Sequence, residues 1–165
     1  IIAQFVPANL TGSDAHAWNI NGRYTFPMGF HAGVYYEQLK WSFNYGTSVA
    51  GVAPAASNVT GLDKTTYRLD GTYQTGPHTI GLIYNKQGNI GGSTLGAGFN
   101  GSDTGVWSWQ VAYGYSLSKR TTVFAYYNDV TNDRNASAQG TTFAGVVPAV
   151  GGDPLYYGFG MRHSF

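Results

Sequence analysis

The last twelve residues of the chain, Pro154-Leu-Tyr-Tyr-Gly-Phe-Gly-Met-Arg-His-Ser-Phe165, decide its fold class. Counting back from the final residue in steps of two gives a set that is largely apolar or aromatic: Phe165, His163, Met161, Phe159, Tyr157 and Leu155. The positions between them are mostly small or polar. A period of two indicates a β-strand whose faces meet different environments. We expect one face to meet lipid, because a soluble protein gains little from an exposed terminal aromatic residue.

The composition is consistent with strands that are apolar on one side only. Aromatic residues make up 16% of the 165 residues and charged residues only 10%, against about a quarter in an average soluble domain. Mean hydropathy is −0.20, and no apolar run approaches the ~18 residues of a spanning helix. A soluble, aromatic-rich β-sandwich or barrel is the alternative. The chain has no cysteine, which excludes disulfides and thiol chemistry.

The same alternation recurs along the chain and predicts eight strands. It is clearest from Trp18 to Phe26, where apolar residues alternate with Asn19, Asn21, Arg23 and Thr25. The other predicted strands cover residues 1–10, 30–43, 67–74, 78–85, 106–117, 122–128 and 155–165. For the strand over 122–128, the alternation does not decide which set of side chains faces outward, and we favour Val123, Ala125 and Tyr127.

The predicted strand that begins at Phe30 changes parity near its middle. Residues 30 to 36 place apolar side chains at even positions, whereas Leu39, Trp41 and Phe43 are at odd positions. A bulge near Glu37-Gln38 explains this change. The strand leaving the membrane zone explains it equally well.

The connections between predicted strands alternate in length. Short turns at 27–29, 75–77 and 118–121 alternate with longer loops at 11–16, 45–64, 87–104 and 130–153. Short turns at one end and long loops at the other are typical of outer-membrane barrels. The sequence therefore predicts one all-β domain over residues 1–165, a transmembrane antiparallel up-and-down β-barrel in the bacterial outer membrane. We expect the C-terminus on the periplasmic side.

In such a barrel the apolar faces meet lipid and the polar faces line the lumen. Aromatic residues near both strand ends predict two interfacial girdles, formed by Trp18, Phe26, Tyr67, Tyr73, Trp107, Trp109, Tyr115, Tyr157 and Phe165. The charged residues predicted to line a pore are Arg23, Glu37, Arg68, Asp70 and Arg162. These residues either build a field that sorts solutes by charge or form salt bridges that stiffen the wall.

Two segments identify a resemblance to a known family. The stretch Tyr113-Gly-Tyr-Ser-Leu-Ser-Lys-Arg-Thr-Thr-Val-Phe-Ala-Tyr-Tyr127, followed by Tyr157-Gly-Phe-Gly-Met-Arg-His-Ser-Phe165, resembles the last three strands of Gram-negative trimeric porins. The likeness is greatest to porins of the β-proteobacterial type. It is specific over 113–165 and looser over 14–112. The resemblance implies a homotrimeric channel for passive diffusion of small hydrophilic solutes and ions.

The resemblance also implies a partner for the C-terminal strand. In the family, a terminal aromatic residue with alternating apolar residues is recognised by the machinery that assembles outer-membrane barrels. The corresponding residues here are Tyr157, Phe159, Met161, His163 and Phe165. Outer-membrane lipid is the other expected partner. Nucleic acid is not expected, because basic residues do not cluster in the sequence; the net charge of +1 argues neither for nor against it.

The porins that this chain resembles have sixteen strands in roughly twice its length. We therefore favour the C-terminal half of a longer porin. The alternative is a small eight-stranded barrel that conducts nothing and serves a structural or adhesive role through its loops. The inward set is rich in small residues, which would fill an eight-stranded interior poorly.

Enzymatic activity and cofactors are not expected. The four histidines lack metal spacing, and nothing pairs them with a nucleophile. Loop residues that could gather a cation are Asp129, Asn132, Asp133 and Asp153. Their spacing differs from that of a calcium loop, so solvated loop carboxylates are the default interpretation.

Overall fold

Nine β-strands make up almost all of the regular structure in a computed structural model that describes residues 2–10, 13–43, 59–94, 101–138 and 148–165. The strands are β1 (Ile2–Leu10), β2 (Ser13–Thr25), β3 (Phe30–Phe43), β4 (Val59–Thr75), β5 (His78–Gln87), β6 (Gly91–Thr94), β7 (Val106–Ser116), β8 (Thr121–Asn132) and β9 (Leu155–His163). A single 3₁₀ turn, Pro27–Gly29, joins β2 to β3. Within the described ranges, no helix is long and apolar enough to cross a membrane.

All the strands belong to one antiparallel sheet in the order β1-β2-β3-β4-β5-β7-β8-β9, and the short β6 pairs with the outer part of β4. Each strand of the main path lies beside its neighbour in sequence. The described strands do not close into a ring, because β1 and β9 each keep one unpaired edge. The fold is therefore all-β, an up-and-down partial barrel, as predicted. A closed eight-stranded barrel would need β1 to pair with β9.

The cross-strand register divides the side chains between two faces. The apolar face carries Trp18, Ile20, Val34, Leu69, Leu82, Tyr113 and Phe159 together with the residues that pair with them. The polar face carries Asn21, Arg23, Glu37, Arg68, Asp70, Asn85, Gln110 and Asn128 with theirs. Large apolar side chains are mostly exposed on the first face, with Phe159 at 92% and Tyr157 at 78%. That distribution is the reverse of a soluble fold and fits a sheet with lipid on one side.

The turns at one end of the sheet are tight. In the β2–β3 turn Met28 and Gly29 have positive φ, 72° and 79°, and a side chain on Gly29 would collide with the carbonyl of Gln74. Glycine is therefore required at that position. Gly76, with φ of 54°, makes the β4–β5 turn. The predicted short turns are all present.

The long connections are shorter than predicted, because the strands continue beyond the alternating segments. Of the predicted loop 11–16, residues 13–16 belong to β2. In the loop 45–64, residues 59–64 begin β4, and in the loop 87–104 residues 91–94 form β6. β8 continues to Asn132. Residues 11–12, 45–58, 95–100 and 139–147 of the predicted loops lie outside the described residues.

Two predictions about individual strands have different outcomes. The bulge near Glu37-Gln38 is wrong, because the β3–β4 register is continuous from Phe30 to Trp41 and shifts only between Trp41 and Phe43. In β8, Val123, Ala125 and Tyr127 pair with Met161, Phe159 and Tyr157 on the apolar face, as favoured.

Candidate functional site

On the polar face, paired residues of neighbouring strands form rows that run across the sheet, and each strand in a row contributes one residue. The central row contains Arg23, Gly33, Asp70, Ile83, Gln110, Asn128 and Tyr156. The next row toward the long loops contains Asn21, Tyr35, Arg68, Asn85, Ser108 and Val130. Glu37 lies one row further in the same direction. Four of the five charged residues predicted to line a pore therefore lie in three adjacent rows on β2, β3 and β4.

Arg162 does not join this group. It is on the polar face too, but on β9, opposite Thr122 and near the short turns. Five strands of the sheet path separate it from Arg23. The structure thus brings together four of the predicted residues and leaves the fifth at the opposite side of the sheet.

The central charges are arranged around a glycine. Asp70 lies over Gly33, where an added Cβ atom would be 2.7 Å from both carboxylate oxygens. Arg68 Nε is 3.7 Å from Asp70 Oδ1, and these side chains are 45% and 27% exposed. An ion pair with this exposure contributes roughly 0–1 kcal/mol to stability. Its main effect is to neutralise one arginine.

Arg23 is differently partnered. Its Nη2 donates to the hydroxyl of Thr72 at 3.2 Å, and within the described ranges no carboxylate lies within 4 Å of it. Glu37 accepts a 2.6 Å hydrogen bond from the Tyr35 hydroxyl. Arg23 therefore keeps an uncompensated positive charge on this face.

A groove of about 310 Å³ runs between these groups. Its polar and charged lining comes from Arg23, Arg68, Asp70, Thr72 and Gln110. Cationic and amide groups around a groove of this volume can hold or repel small ions. Gly33, Tyr35, Thr72 and Gln110 had not been predicted from the sequence, although their parity alone places them on the polar face.

At the long-loop end, loop residues fold over the polar face. We call residues 101–105, 132–138 and 148–154 the loop clasp. Ala136 is buried against Val106 and Val130, with Ala138 and Tyr156 beside it. Val106, Val130 and Tyr156 all belong to the polar face. The loop after β8 therefore covers this corner of the sheet.

Asn132 holds the loop clasp together. Its side-chain amide donates to Gly152 O at 2.7 Å and Ala138 O at 3.1 Å, and its Oδ1 accepts from Ala138 N at 2.7 Å. Its backbone N–H donates to Asp153 Oδ1 at 2.8 Å. The side chain is 6% exposed, so these are buried bonds.

Further contacts within the clasp join residues 132–138 to residues 101–105, which precede β7. Asn135 N donates to Asp103 O at 2.7 Å, and Arg134 Nη2 lies 3.7 Å from Asp103 Oδ2.

Of the loop residues considered as a cation site, Asn132 and Asp153 are hydrogen-bonded to each other within the clasp. Asp129 instead lies on the apolar face, opposite Trp109. Among the described residues, no three His, Cys, Asp or Glu side chains form a group suited to a metal ion.

The predicted girdle residues in the strands all lie on the apolar face. Trp18, Tyr67, Tyr73 and Trp107 are between 38% and 50% exposed. On β9, Tyr157, Phe159 and Met161 project from the same face. His163 Nδ1 is 2.9 Å from the Thr121 hydroxyl, and its ring packs edge-on against Phe165 at 4.8 Å.

An antiparallel sheet with an exposed apolar face, a charged inner face, tight turns at one end and packed loops at the other defines a section of an outer-membrane β-barrel. A sequence profile of Gram-negative porins matches residues 4–135, which is most of the chain. The chain belongs to the Gram-negative porin family. That is a family of outer-membrane channels rather than enzymes. A search of curated proteins found no match.

The profile match overlaps only part of the segment whose resemblance is specific. It includes residues 113–127 but ends within the loop clasp, so β9 and the segment 155–165 lie outside it. The family assignment therefore rests on β1 to β8, most of which had shown only a looser likeness in sequence.

Proposed function

We propose that this chain forms part of a water-filled channel through which small hydrophilic solutes and ions diffuse passively across the outer membrane. The observation that supports this proposal is the composition of the polar face. A barrel wall with arginine, carboxylate and amide side chains on the side away from lipid must have water there, because these groups cannot be left dry and unpaired. The five residues proposed to line the lumen are Arg23, Glu37, Arg68, Asp70 and Arg162.

The proposed orientation places the short turns and the C-terminus at the periplasmic side. The long loops and the loop clasp then lie at the external mouth, where the clasp narrows the entrance along β7 to β9. Trimer formation and recognition of β9 by the barrel assembly machinery are proposed from family likeness. Residues 1–165 are proposed to be part of a single barrel domain.

The five residues proposed to line the lumen favour anions in this proposal, because three arginines outnumber the carboxylates of Glu37 and Asp70. Asp70 offsets Arg68, and the carboxylate of Glu37 accepts a hydrogen bond from Tyr35 and keeps its negative charge. Arg23 has no such partner among the described residues. A fixed charge in a narrow, partly desolvated lumen acts more strongly than in bulk water.

Planar-bilayer recording of the full-length protein tests both points. We expect stable openings, and we expect Arg23→Gln to reduce the anion-to-cation permeability ratio by about two-fold, since one wall charge is removed. Lys40→Gln is the matched control: Lys40 is exposed, lies on the apolar face near the long loops and should leave the ratio unchanged. A silent membrane would contradict the channel, and an unchanged ratio in Arg23→Gln would contradict the role of the arginine.

A further inference from the structure

The apolar face contains a groove beside the last two strands. Its volume is about 470 Å³, and Tyr113, Val123, Ala125, Phe159 and Met161 line it. The register explains its shape. Ala125 lies between Tyr113 on β7 and Phe159 on β9, so a small residue separates two large ones. The groove has the dimensions and the apolar lining that suit a hydrocarbon chain.

A cationic turn lies at the short-turn end of this groove. It joins β7 to β8 and contains Lys119 and Arg120, both exposed. The Ser118 hydroxyl accepts hydrogen bonds from the backbone N–H groups of Arg120 and Thr121, each at 3.1 Å. The turn is therefore held in one conformation. In the part of the chain that the structure describes, neither cation has a carboxylate within 4 Å.

The other two short turns carry no charge. Pro27-Met-Gly29 joins β2 to β3, and Thr75-Gly-Pro77 joins β4 to β5. A hairpin turn needs no cations for its geometry, as these two demonstrate. Of the three short turns, only the one beside the groove is therefore charged.

Acidic and basic side chains are also unevenly distributed between the two ends of the strands. The acidic residues near the long loops are Asp14, Asp63, Asp103, Asp129, Asp133 and Asp153. The short-turn end has no carboxylate side chain in the described residues and carries Lys119, Arg120 and Arg162. An anionic group would therefore be attracted to the short-turn end.

The groove and the turn are close enough for one molecule to reach both. Val123 is three residues beyond Arg120 in an extended strand, which corresponds to about 10 Å. We propose that Lys119, Arg120 and the groove bind one anionic phospholipid of the inner leaflet. Its phosphate lies at the turn and one acyl chain in the groove. This inference rests on the proposed orientation, which places the short turns at the periplasmic interface.

Native mass spectrometry of the full-length protein in detergent tests the site. Phosphatidylglycerol and phosphatidylethanolamine of identical acyl chains are titrated separately. We expect tighter binding of phosphatidylglycerol, and we expect the double variant Lys119→Gln/Arg120→Gln to weaken it by about thirty-fold, since each cation near a membrane surface strengthens attraction to anionic lipid. Phosphatidylethanolamine binding should change little.

The double variant Lys40→Gln/Lys86→Gln, which removes the same number of charges, is the matched control. Lys86 is exposed on the same apolar face, but it lies at the long-loop end of β5, where it pairs with Trp107. The control should leave phosphatidylglycerol binding unchanged. An equal loss in both variants would indicate attraction to overall charge and would overturn the site. Tighter retention of lipopolysaccharide than of phosphatidylglycerol would also overturn it.

Ala125→Phe tests the acyl chain separately. It fills the groove without altering a charge, so both phospholipids should bind more weakly. Unchanged binding would contradict a single lipid that reaches groove and turn. Bilayer conductance separates this inference from the proposed function: an open channel without phosphatidylglycerol preference contradicts only the lipid site, whereas a silent protein that retains the lipid contradicts only the channel.

Discussion

Two glycines of β9 lie beneath aromatic side chains of β8 on the polar face. Gly158 pairs with Tyr126, and Gly160 pairs with Phe124. A Cβ atom on Gly158 would lie 2.8 Å from Tyr126 Cε1 and 2.9 Å from its hydroxyl oxygen. The rings thus cover backbone that glycine leaves open. At the scale of single residues, these two glycines and the two rings above them form one feature, because each ring occupies the space that a Cβ atom would need.

Replacing Gly158 with alanine should therefore destabilise the barrel. We expect a loss of about 1–3 kcal/mol in the free energy of unfolding, because the added methyl group displaces the Tyr126 ring. In a Tyr126→Ala background the same change should cost almost nothing. Urea unfolding of the full-length protein in detergent micelles measures both.

Gly114→Ala is the matched control for this comparison. Gly114 lies on the same face, opposite Phe124, but a Cβ there would meet its nearest neighbour, Thr122 Cγ2, at 3.7 Å. That is an ordinary contact, so the variant should unfold like the wild type. If Gly114→Ala and Gly158→Ala are equally destabilising, ring contact is not the cause.

At the scale of elements, the loop clasp differs from an ordinary surface loop. Its contacts join residues that are far apart in sequence, and its apolar residues are buried on strand residues rather than exposed. A loop packed in this way has a single position over the polar face. It therefore adds a fixed wall at the long-loop end of the sheet.

Asn132→Ala should release the clasp. The substitution leaves the Ala138 N–H and two carbonyl groups without their buried partner, and each such loss costs roughly 1–3 kcal/mol. We expect hydrogen exchange at the Ala138 amide to accelerate by at least about ten-fold. Exchange in the strands β2 to β5 should be unaffected.

The control is Asn135→Ala, since the Asn135 side chain is exposed and donates a hydrogen bond to Ser102 O at 3.0 Å. Its effect on Ala138 exchange should be small. Unaltered exchange in Asn132→Ala would show that the apolar contacts of Ala136 alone hold the loop.

Element boundaries were predictable where strands cross lipid and not where they leave it. Apolar and polar side chains alternate from Trp18 to Phe26 because the two faces of this strand meet different environments. The preceding Ser13–Ala17 segment pairs with β3 through its backbone, without apolar alternation to mark it. The same holds for Val59 to Lys64 at the start of β4. The alternation of side chains in the sequence was enough to assign every predicted pore-lining residue to the polar face. Which of them meet depends on register, which turn and loop conformations set.

At the scale of the whole molecule, the open sheet has two unpaired edges, on β1 and β9. Backbone groups at such edges must find partners, above all within a membrane. We expect residues 1–165 expressed alone and refolded in detergent to associate through these edges. Light scattering should give a protein mass of at least twice 17.7 kDa.

Cross-linking identifies the edges involved. The chain has no cysteine, so the variant Phe5→Cys/Phe159→Cys introduces one thiol on β1 and one on β9. Disulfides should form between chains. A monomer with an intrachain disulfide would mean that β1 and β9 pair with each other and would contradict the open sheet.

The pairing pattern has a further consequence for how such a protein can change over time. The substantial contacts of every described strand are with its sheet neighbours, and no shared core connects distant strands. Removing or duplicating a hairpin would therefore leave the remaining pairs intact, as in repeat proteins. The circumference of such a barrel can thus vary in steps of two strands, independently of the chemistry that any one hairpin contributes to its wall.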